Sequence, residues 1–232
     1  MKRSLALMAF SILITFSPVQ IAHASKMNKQ VTVYLKKGEV KVAILRNELN
    51  KLDAHVDVYL KDTGERVRYK AESLDSIVMT DNGQRTVWES KWINQSYNLS
   101  SPVNTDRPLL VKRIWKGERT SVYTSRVAEM TSNANKHYFS QQVDQFYYGL
   151  NTEKEIRLYY SESLVPGTIN LGNFNVTGLP LGGSMKLSSM AKFYPQYPVF
   201  QKRLETISVK RRVFHKDKAI IIKYLDEYLR IK

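Results

Sequence analysis

Short runs of alternating apolar and polar residues dominate the first two thirds of the chain. In "VTVYLKKGEVKVAILR" two such runs flank a turn at Gly38, and in "VDVYLKDTGERVRYKA" two more flank Gly64. A third pair surrounds Gly83, and a fourth surrounds Gly117. Alternation with a period of two indicates strands with one buried face, and a glycine-containing turn between two runs indicates a β-hairpin. The pattern therefore predicts a series of antiparallel hairpins.

The aromatic runs "HYFSQQVDQFYYGL" and "EIRLYY" extend the series to about ten short strands. The gaps between the strands are too short for the crossover helices that a parallel sheet requires. We therefore predict an antiparallel β-barrel or sandwich over residues 25–160. Residues 161–186 contain five of the ten glycines and are predicted as a Gly-rich loop or flap, with a small hairpin in "TINLGNFNVT".

From residue 187 onward the apolar period becomes helical. We predict a short helix in "SSMAKFY", a helix starting at Pro198 in "YPVFQKRLETI", and a helix capped by Asp217 in "DKAIIIKYLDEYL". Because most amphipathic helices face their own core, we expect residues 187–232 to pack on the β-rich domain, with docking onto another chain as the alternative. The predicted fold class is therefore α+β, an N-terminal antiparallel β-domain with a C-terminal helical segment packed on it.

The first 24 residues have the three parts of a secretory signal peptide. Lys2 and Arg3 are followed by an apolar run over residues 5–16, and small residues precede a predicted cleavage between Ala24 and Ser25. We expect export to the periplasm or the extracellular space and a soluble remainder. The chain contains no cysteine, so that neither a disulfide nor an acylated cysteine is expected.

The formal net charge of +15 favours an anionic partner, and for an exported protein we expect an anionic envelope component or another envelope protein. The basic residues are densest in "VKRRVFHKDK", which includes Lys210, Arg211 and Arg212. We interpret this run as a solvated linker between two helices, with a binding patch as the alternative. No DNA- or RNA-binding signature accompanies it, and nucleic acid is not an expected partner.

Metal and cofactor chemistry is not predicted. His55, His137 and His215 are far apart in sequence, and none of them stands in a metal-binding motif. Without cysteines a structural zinc site is also not expected. The catalytic residues, if there are any, are not identified by a motif.

Two sets of residues remain as candidates for function. The carboxylates Asp53, Asp57, Glu153 and Glu155 would suit general acid–base chemistry, although such residues are common on strand ends without a function. Three tryptophans, predicted to lie in strands, would bind sugar rings or peptides if they were exposed, whereas buried ones would fill the core, which is the interpretation we favour. These tryptophans are Trp88, Trp92 and Trp115.

The order of these signals resembles a loose group of uncharacterised exported proteins from Bacteroidetes. The segments that carry the resemblance are "VTVYLKKGEVKVAI", "LLVKRIWKGERTSVY", "HYFSQQ", "FYPQYPVFQKRLE" and "IIKYLDEYL". The chain departs from the group at Val42, where a glycine is usual, and at Tyr197, where a cysteine is common. The resemblance implies localisation to a Gram-negative cell envelope. It assigns neither an activity nor catalytic residues.

The leading hypothesis is a non-enzymatic cell-envelope protein that binds a ligand or assists assembly through its sheet face or its basic tail. One alternative is a hydrolase with carboxylate chemistry near the Gly-rich loop. Another is a binder of anionic envelope ligands through the basic C-terminal segment.

Overall fold

The computed structural model describes residues 28–49, 52–94, 105–132, 138–161, 168–170, 175–177, 184–191 and 194–231. The predicted signal peptide, its cleavage site and His137 lie outside the described residues.

The described part of the chain contains fourteen strands, a single 3-10 turn at Ala71–Ser73 and four α-helices. The strands are β1 (Lys29–Leu35), β2 (Val40–Leu45), β3 (His55–Leu60), β4 (Arg66–Lys70), β5 (Leu74–Asp81), β6 (Gln84–Asn94), β7 (Leu109–Lys116), β8 (Thr120–Ser132), β9 (Tyr138–Leu150), β10 (Glu155–Ser161), β11 (Thr168–Asn170), β12 (Asn175–Thr177), β13 (Ser184–Lys186) and β14 (Ser208–Lys210). The helices are α1 (Ser188–Ala191), α2 (Pro198–Thr206), α3 (Arg211–Lys216) and α4 (Ile220–Ile231).

Twelve of these strands form one large sheet in the order β12-β11-β10-β9-β8-β7-β6-β5-β1-β2-β3-β4. Neighbouring strands in this order are antiparallel. In addition, β10 pairs in parallel with β6, so that β6, β7, β8, β9 and β10 form a closed ring of five strands. Strands β13 and β14 form a separate antiparallel pair.

The interior of the ring has an apolar layer to which each of its five strands contributes one side chain. These side chains are Ile93, Val111, Tyr123, Tyr147 and Ile156. All five are at most 1% exposed. Because side chains alternate between the two faces of a strand, the residues on either side of each one point out of the ring.

A second core lies between the inner faces of β1, β2, β3 and β5 and the outer side of the ring. Trp88 and Leu110, from β6 and β7, close this core, and the Trp88 Nε1 donates a hydrogen bond of 2.7 Å to the backbone oxygen of Leu49. Its other members are Val31, Val33, Ala43, Leu45, Leu49, Val56, Val58, Ala71, Leu74 and Ile77.

A third core joins the helical segment to the outward side of β8, β9 and β10. Its strand residues are Val122, Phe146, Tyr148, Tyr159 and Tyr160. The helical segment contributes Leu187, Ala191, Tyr194, Phe200, Leu204, Val209, Phe214, Ala219, Ile221, Ile222, Leu225 and Tyr228.

A β-bulge in β10 contributes to this third core. The pairing register with β9 shifts between Leu158 and Tyr160, which leaves Tyr159 as an extra residue. Both tyrosines then pack among the helices instead of lying on opposite faces. The Tyr159 hydroxyl donates a hydrogen bond of 2.7 Å to the backbone oxygen of Lys218, which fixes the connection between α3 and α4 to the sheet.

The turn between β7 and β8 is held by one carboxylate of α4. Asp226 accepts backbone hydrogen bonds from Glu118, Arg119 and Thr120 at 3.2, 2.8 and 2.7 Å, and a fourth bond from the Thr120 hydroxyl at 2.9 Å. A Cβ atom added to Gly117 would lie 2.6 Å from the Asp226 Cγ, so that only glycine permits this approach without displacement. The helix and the hairpin are therefore locked together.

The predicted hairpins around Gly38, Gly64, Gly83 and Gly117 are confirmed by the pairing of β1 with β2, β3 with β4, β5 with β6 and β7 with β8. In the third turn both Asn82 and Gly83 have positive φ values, +48° and +77°, as tight hairpin turns require. Ten strands precede residue 162, which agrees with the expected β-rich architecture. The expectation that all strands are short is wrong for β8 and β9, which have 13 residues each.

The C-terminal prediction needs one correction, whereas the predicted cap is present. The last helix begins at Ile220, and the carboxylate of Asp217 accepts the backbone N–H of Ala219, in the turn that leads into the helix, at 3.0 Å. The basic run interpreted as a solvated linker contains the end of β14 and the whole of α3. It is held in place because Val209 and Phe214 are buried.

The domain boundaries predicted at residues 160 and 186 stay predictions. Strand pairing crosses both positions, since β11 pairs with β10 and β13 pairs with β14. The hairpin predicted in "TINLGNFNVT" is present as β11 and β12. Among the described residues, no helix is long and apolar enough to cross a membrane.

Candidate functional site

The parallel seam between β6 and β10 carries a line of outward side chains. Glu155 is opposite Trp92, and Arg157 is opposite Asn94. Between these pairs, Ile93 and Ile156 point into the ring. Alternation along both strands therefore places the two outer pairs together on the outside of the ring.

The polar side chains of the seam are linked to one another. The Asn94 Nδ2 donates a hydrogen bond of 2.8 Å to the Glu155 Oε1, and the Arg157 Nε lies 3.7 Å from the same oxygen. The Arg157 Nη1 lies 3.9 Å from the Glu153 Oε2. This arrangement fixes the positions of donors and acceptors on a rigid pair of strands.

Main-chain contacts hold the edges of the seam. The Trp92 backbone N–H donates to the Lys154 oxygen at 3.0 Å. The Thr105 hydroxyl accepts the Ile93 backbone N–H at 3.1 Å, and the Thr105 N–H donates to the Ile93 oxygen at 3.1 Å. The chain at Thr105 is thereby attached to the end of β6.

Together these residues line an open groove of about 730 Å³, which falls within the size range of small-ligand sites. The side chains that argue for binding are Trp92, Asn94, Thr105, Glu153, Glu155 and Arg157. The groove therefore combines one aromatic surface with donors and acceptors of hydrogen bonds.

The three tryptophans have different environments, and the structure does not bring them together. Trp88 is 5% exposed and belongs to the core beneath β1–β5, whereas Trp115 is half-buried against the helical core. Trp92 lies on the same face of β6 as Trp88. The chain at Leu49 contacts Trp88, whereas Trp92, four residues further along the strand, is 41% exposed. The favoured interpretation of all three as core residues therefore does not hold for Trp92.

The basic residues of the tail lie on another part of the molecule. Lys210 ends β14, and Arg211 and Arg212 begin α3, next to the helical core. Lys210 and Arg212 are exposed. Neither of these two contributes to the groove lining.

Of the four candidate carboxylates, only Glu153 and Glu155 lie in the groove. Asp53 forms an isolated bridge to Leu110. Asp57 accepts hydrogen bonds of 2.8 and 2.9 Å from Arg68 and one of 3.0 Å from Arg66. The bonds from Arg68, with those from Arg66, hold the pKa of Asp57 well below its ordinary value.

A charged cluster inside the ring was missed by the sequence reasoning. Glu89 forms ion pairs with Arg113 and with Lys91, the latter at 3.4 Å, and the Tyr123 hydroxyl donates to the Glu89 Oε2 at 2.9 Å. Burial, followed by the charge of Glu89, raises the pKa of Tyr123 far above its ordinary value, so that this phenol remains a hydrogen-bond donor. The cluster is thus internally paired and offers no free base.

Three uncharged polar side chains, those of Ser125, Gln145 and Tyr147, form a second hydrogen-bonded group inside the ring. The Tyr147 hydroxyl donates to the Gln145 Oε1 at 2.6 Å and lies 3.1 Å from the Ser125 Oγ. Burial raises the pKa of Tyr147 above its ordinary value. In sequence, "VWESKWI" does place Glu89 and Lys91 on the face of Ile93, but the same alternation is typical of a solvent-facing strand.

Within the described ranges, no group of three His, Cys, Asp or Glu side chains is arranged to hold a metal ion. Comparisons with known protein families, with curated proteins and with solved structures find no match. The groove at the β6–β10 seam therefore has to be interpreted from its own chemistry.

Proposed function

We propose that this protein is an exported, non-enzymatic binding protein of the cell envelope, and that it binds a glycan in the groove at the β6–β10 seam. The observation that carries the proposal is the exposure of Trp92 on a rigid surface. Ile93 and Ile156, which lie between the outward residues, are 1% and 0% exposed, so the strands beneath the groove are anchored in the ring.

The chemistry of the groove suits a sugar ring. A pyranose has an apolar face of C–H groups and a rim of hydroxyls, and the flat indole of Trp92 offers a surface for that face. Asn94, Glu155 and Arg157 supply hydrogen-bond donors and acceptors at the edge of the same surface. Because these side chains already contact one another, the entropy cost of ordering them when a ligand binds is small.

The hydrolase alternative, expected near the Gly-rich loop, would use the same groove if Glu153 and Glu155 were its carboxylates, because both line it. Arg157 lies within 4 Å of a carboxylate oxygen of each. A glycosidase needs one carboxyl group that donates a proton to the leaving group, whereas the Glu155 Oε1 is engaged as a hydrogen-bond acceptor by the Asn94 Nδ2. We therefore favour binding over hydrolysis.

Calorimetric titration with oligosaccharides from peptidoglycan and lipopolysaccharide tests the proposal. Trp92→Ala should weaken the binding of the recognised glycan by about tenfold or more, because aromatic anchors dominate small interfaces. Trp92→Tyr, which keeps an aromatic face, should retain most of the affinity. Trp115→Phe is the matched control and should bind as the wild type does.

An unchanged affinity in Trp92→Ala would show that the groove is not the glycan site. If the wild type bound extended peptides but no oligosaccharide, the ligand class would be wrong. Cleavage of a bound glycan that is lost in both Glu153→Gln and Glu155→Gln would establish the hydrolase alternative instead.

A further inference from the structure

The outward face of β1–β4 is separated from the groove strand β6 by β5 in the sheet order, and it has a different composition. The inward residues of these strands fill the second core. Outward, Tyr34 is opposite Val40, and Ile44 is opposite Tyr59. Since the described helices pack on β8, β9 and β10, they leave this outward face without a covering layer.

The middle of this face, which we call the outer sheet face, is apolar. Val40 is 53% exposed and Val42 is 41% exposed, two positions apart on the same side of β2. Ile44 and Tyr59 continue the apolar surface and are half-buried. Where exposed apolar side chains form a large contiguous patch, the patch marks a protein or membrane contact.

Cations surround the apolar middle. Tyr59 is opposite Arg66, and the Arg46 guanidinium carbon lies 3.7 Å from the centre of the Tyr59 ring. On another side, Lys61 lies beside Val42 and donates to the Gln30 Oε1 at 2.9 Å. These side chains give the apolar surface a positive border.

The turn between β1 and β2 adds two exposed lysines, Lys36 and Lys37, next to Val40. Of the acids in the region, Asp57 binds two arginines and the Glu39 Oε2 lies 3.8 Å from the Lys41 Nζ, whereas Asp62 and Glu65 in the β3–β4 turn are exposed. The cations still outnumber these four acids, so the outer sheet face is positive as a whole; they are Lys36, Lys37, Lys41, Arg46, Lys61, Arg66 and Arg68.

We infer that the outer sheet face binds the surface of an anionic lipid membrane. An apolar centre within a cationic border matches such a surface, where valine side chains reach the acyl boundary and lysines lie among the charged headgroups. A dissolved polyanion would explain the cations but not the exposed valines. The inference is independent of the glycan groove, which lies at the β6–β10 seam.

Co-sedimentation of the protein with lipid vesicles tests this inference. The wild type should bind vesicles that contain phosphatidylglycerol and should not bind vesicles of phosphatidylcholine alone. The double variant Val40→Ser with Val42→Ser and the triple variant Lys36→Gln, Lys37→Gln, Lys61→Gln should each lose binding. The expected loss is about fivefold for each lysine removed.

Matched controls distinguish this face from other exposed residues. Val199 and Val213 are 58% and 42% exposed in α2 and α3, and replacing both with serine should leave vesicle binding unchanged. Lys210→Gln with Arg212→Gln removes two exposed cations of the basic tail and should also have no effect beyond a small general charge loss. Circular dichroism establishes that every variant is folded.

Three results would overturn the inference. One is equal binding of wild type to anionic and neutral vesicles, and another is loss of binding only in the tail variant. The third is a double valine variant that binds as the wild type does while the lysine variant does not, since the face would then be a site for polyanions rather than for a membrane.

Discussion

The carboxylate of Asp226 attaches helix α4 to the turn between β7 and β8. It accepts four hydrogen bonds from the β7–β8 turn, although its partners Glu118 and Thr120 are 108 and 106 residues away in sequence. Sequence reasoning placed the turn correctly at Gly117 because a local glycine signal identified it. The same reasoning had no means of finding Asp226, because in the helix it is one of two adjacent acids, and its neighbour Glu227 is exposed.

Replacement of Asp226 by asparagine should lower the free energy of unfolding by about 1–3 kcal/mol at pH 7, since charge-assisted bonds to a buried acceptor are lost. Urea denaturation measures this change. Glu227→Gln, an exposed neighbour on α4, is the control and should change stability by less than about 0.5 kcal/mol.

The effect of this substitution should depend on pH. Burial acts to raise the pKa of Asp226, but the hydrogen bonds from Arg119, Thr120 and Glu118 together lower that pKa below its ordinary value of 3.8. Because the pKa is lower in the folded state, the charge stabilises the protein fully at neutral pH, and this contribution is lost as the pH falls through the folded value. The difference between wild type and variant should therefore shrink below about pH 4. A difference that is constant between pH 7 and pH 3 would contradict this account.

At the scale of elements, hairpins and amphipathic helices follow from local pattern, whereas short elements inside charged runs do not. The run "VKRRVFHKDK" is predicted as a solvated linker because its charge density is high. In the structure Phe214 is fully buried and makes an edge-to-face contact with Tyr160, at 5.0 Å between ring centres. Phe214 anchors α3 in the helical core, while Arg212 and Lys216 remain exposed.

Phe214→Ala separates these two accounts of the basic run. If α3 belongs to the core, the substitution should lower the free energy of unfolding by about 3–5 kcal/mol, as for other buried phenylalanines. Val213→Ala, at the exposed neighbouring position, should be within about 0.5 kcal/mol of wild type. Thermal and urea unfolding measure both changes. If the two variants were equally stable, α3 would not belong to the core and the run would be a solvated linker.

At the scale of the whole molecule, the closure of β6–β10 into a ring organises the other two cores. The second core packs on Trp88 and Leu110, and the helical core packs on the outward residues of β8, β9 and β10. Strand β4, in contrast, pairs only with β3 among the described strands and forms one edge of the large sheet.

This arrangement predicts a gradient of hydrogen exchange. Amides of residues 121–124 in β8 lie between two paired strands and should exchange only through global unfolding, whereas those of Arg66–Lys70 in β4 should open locally and exchange at least about tenfold faster. Hydrogen exchange followed by mass spectrometry measures both segments in one experiment. Equal protection of β4 and β8 would show that the two sheet regions unfold as one unit.

The sequence by itself determined the hairpins, their turns and the apolar faces of α2 and α4, because these depend on residues a few positions apart. Only the tertiary structure decided the parallel pairing of β6 with β10, which brings Trp92 beside Glu155 across 62 intervening residues. It also decided which tryptophan is exposed, since Trp88 and Trp92 share one face of one strand and differ only in what covers them. Long-range strand pairing depends on how the whole chain packs, and no local pattern records it.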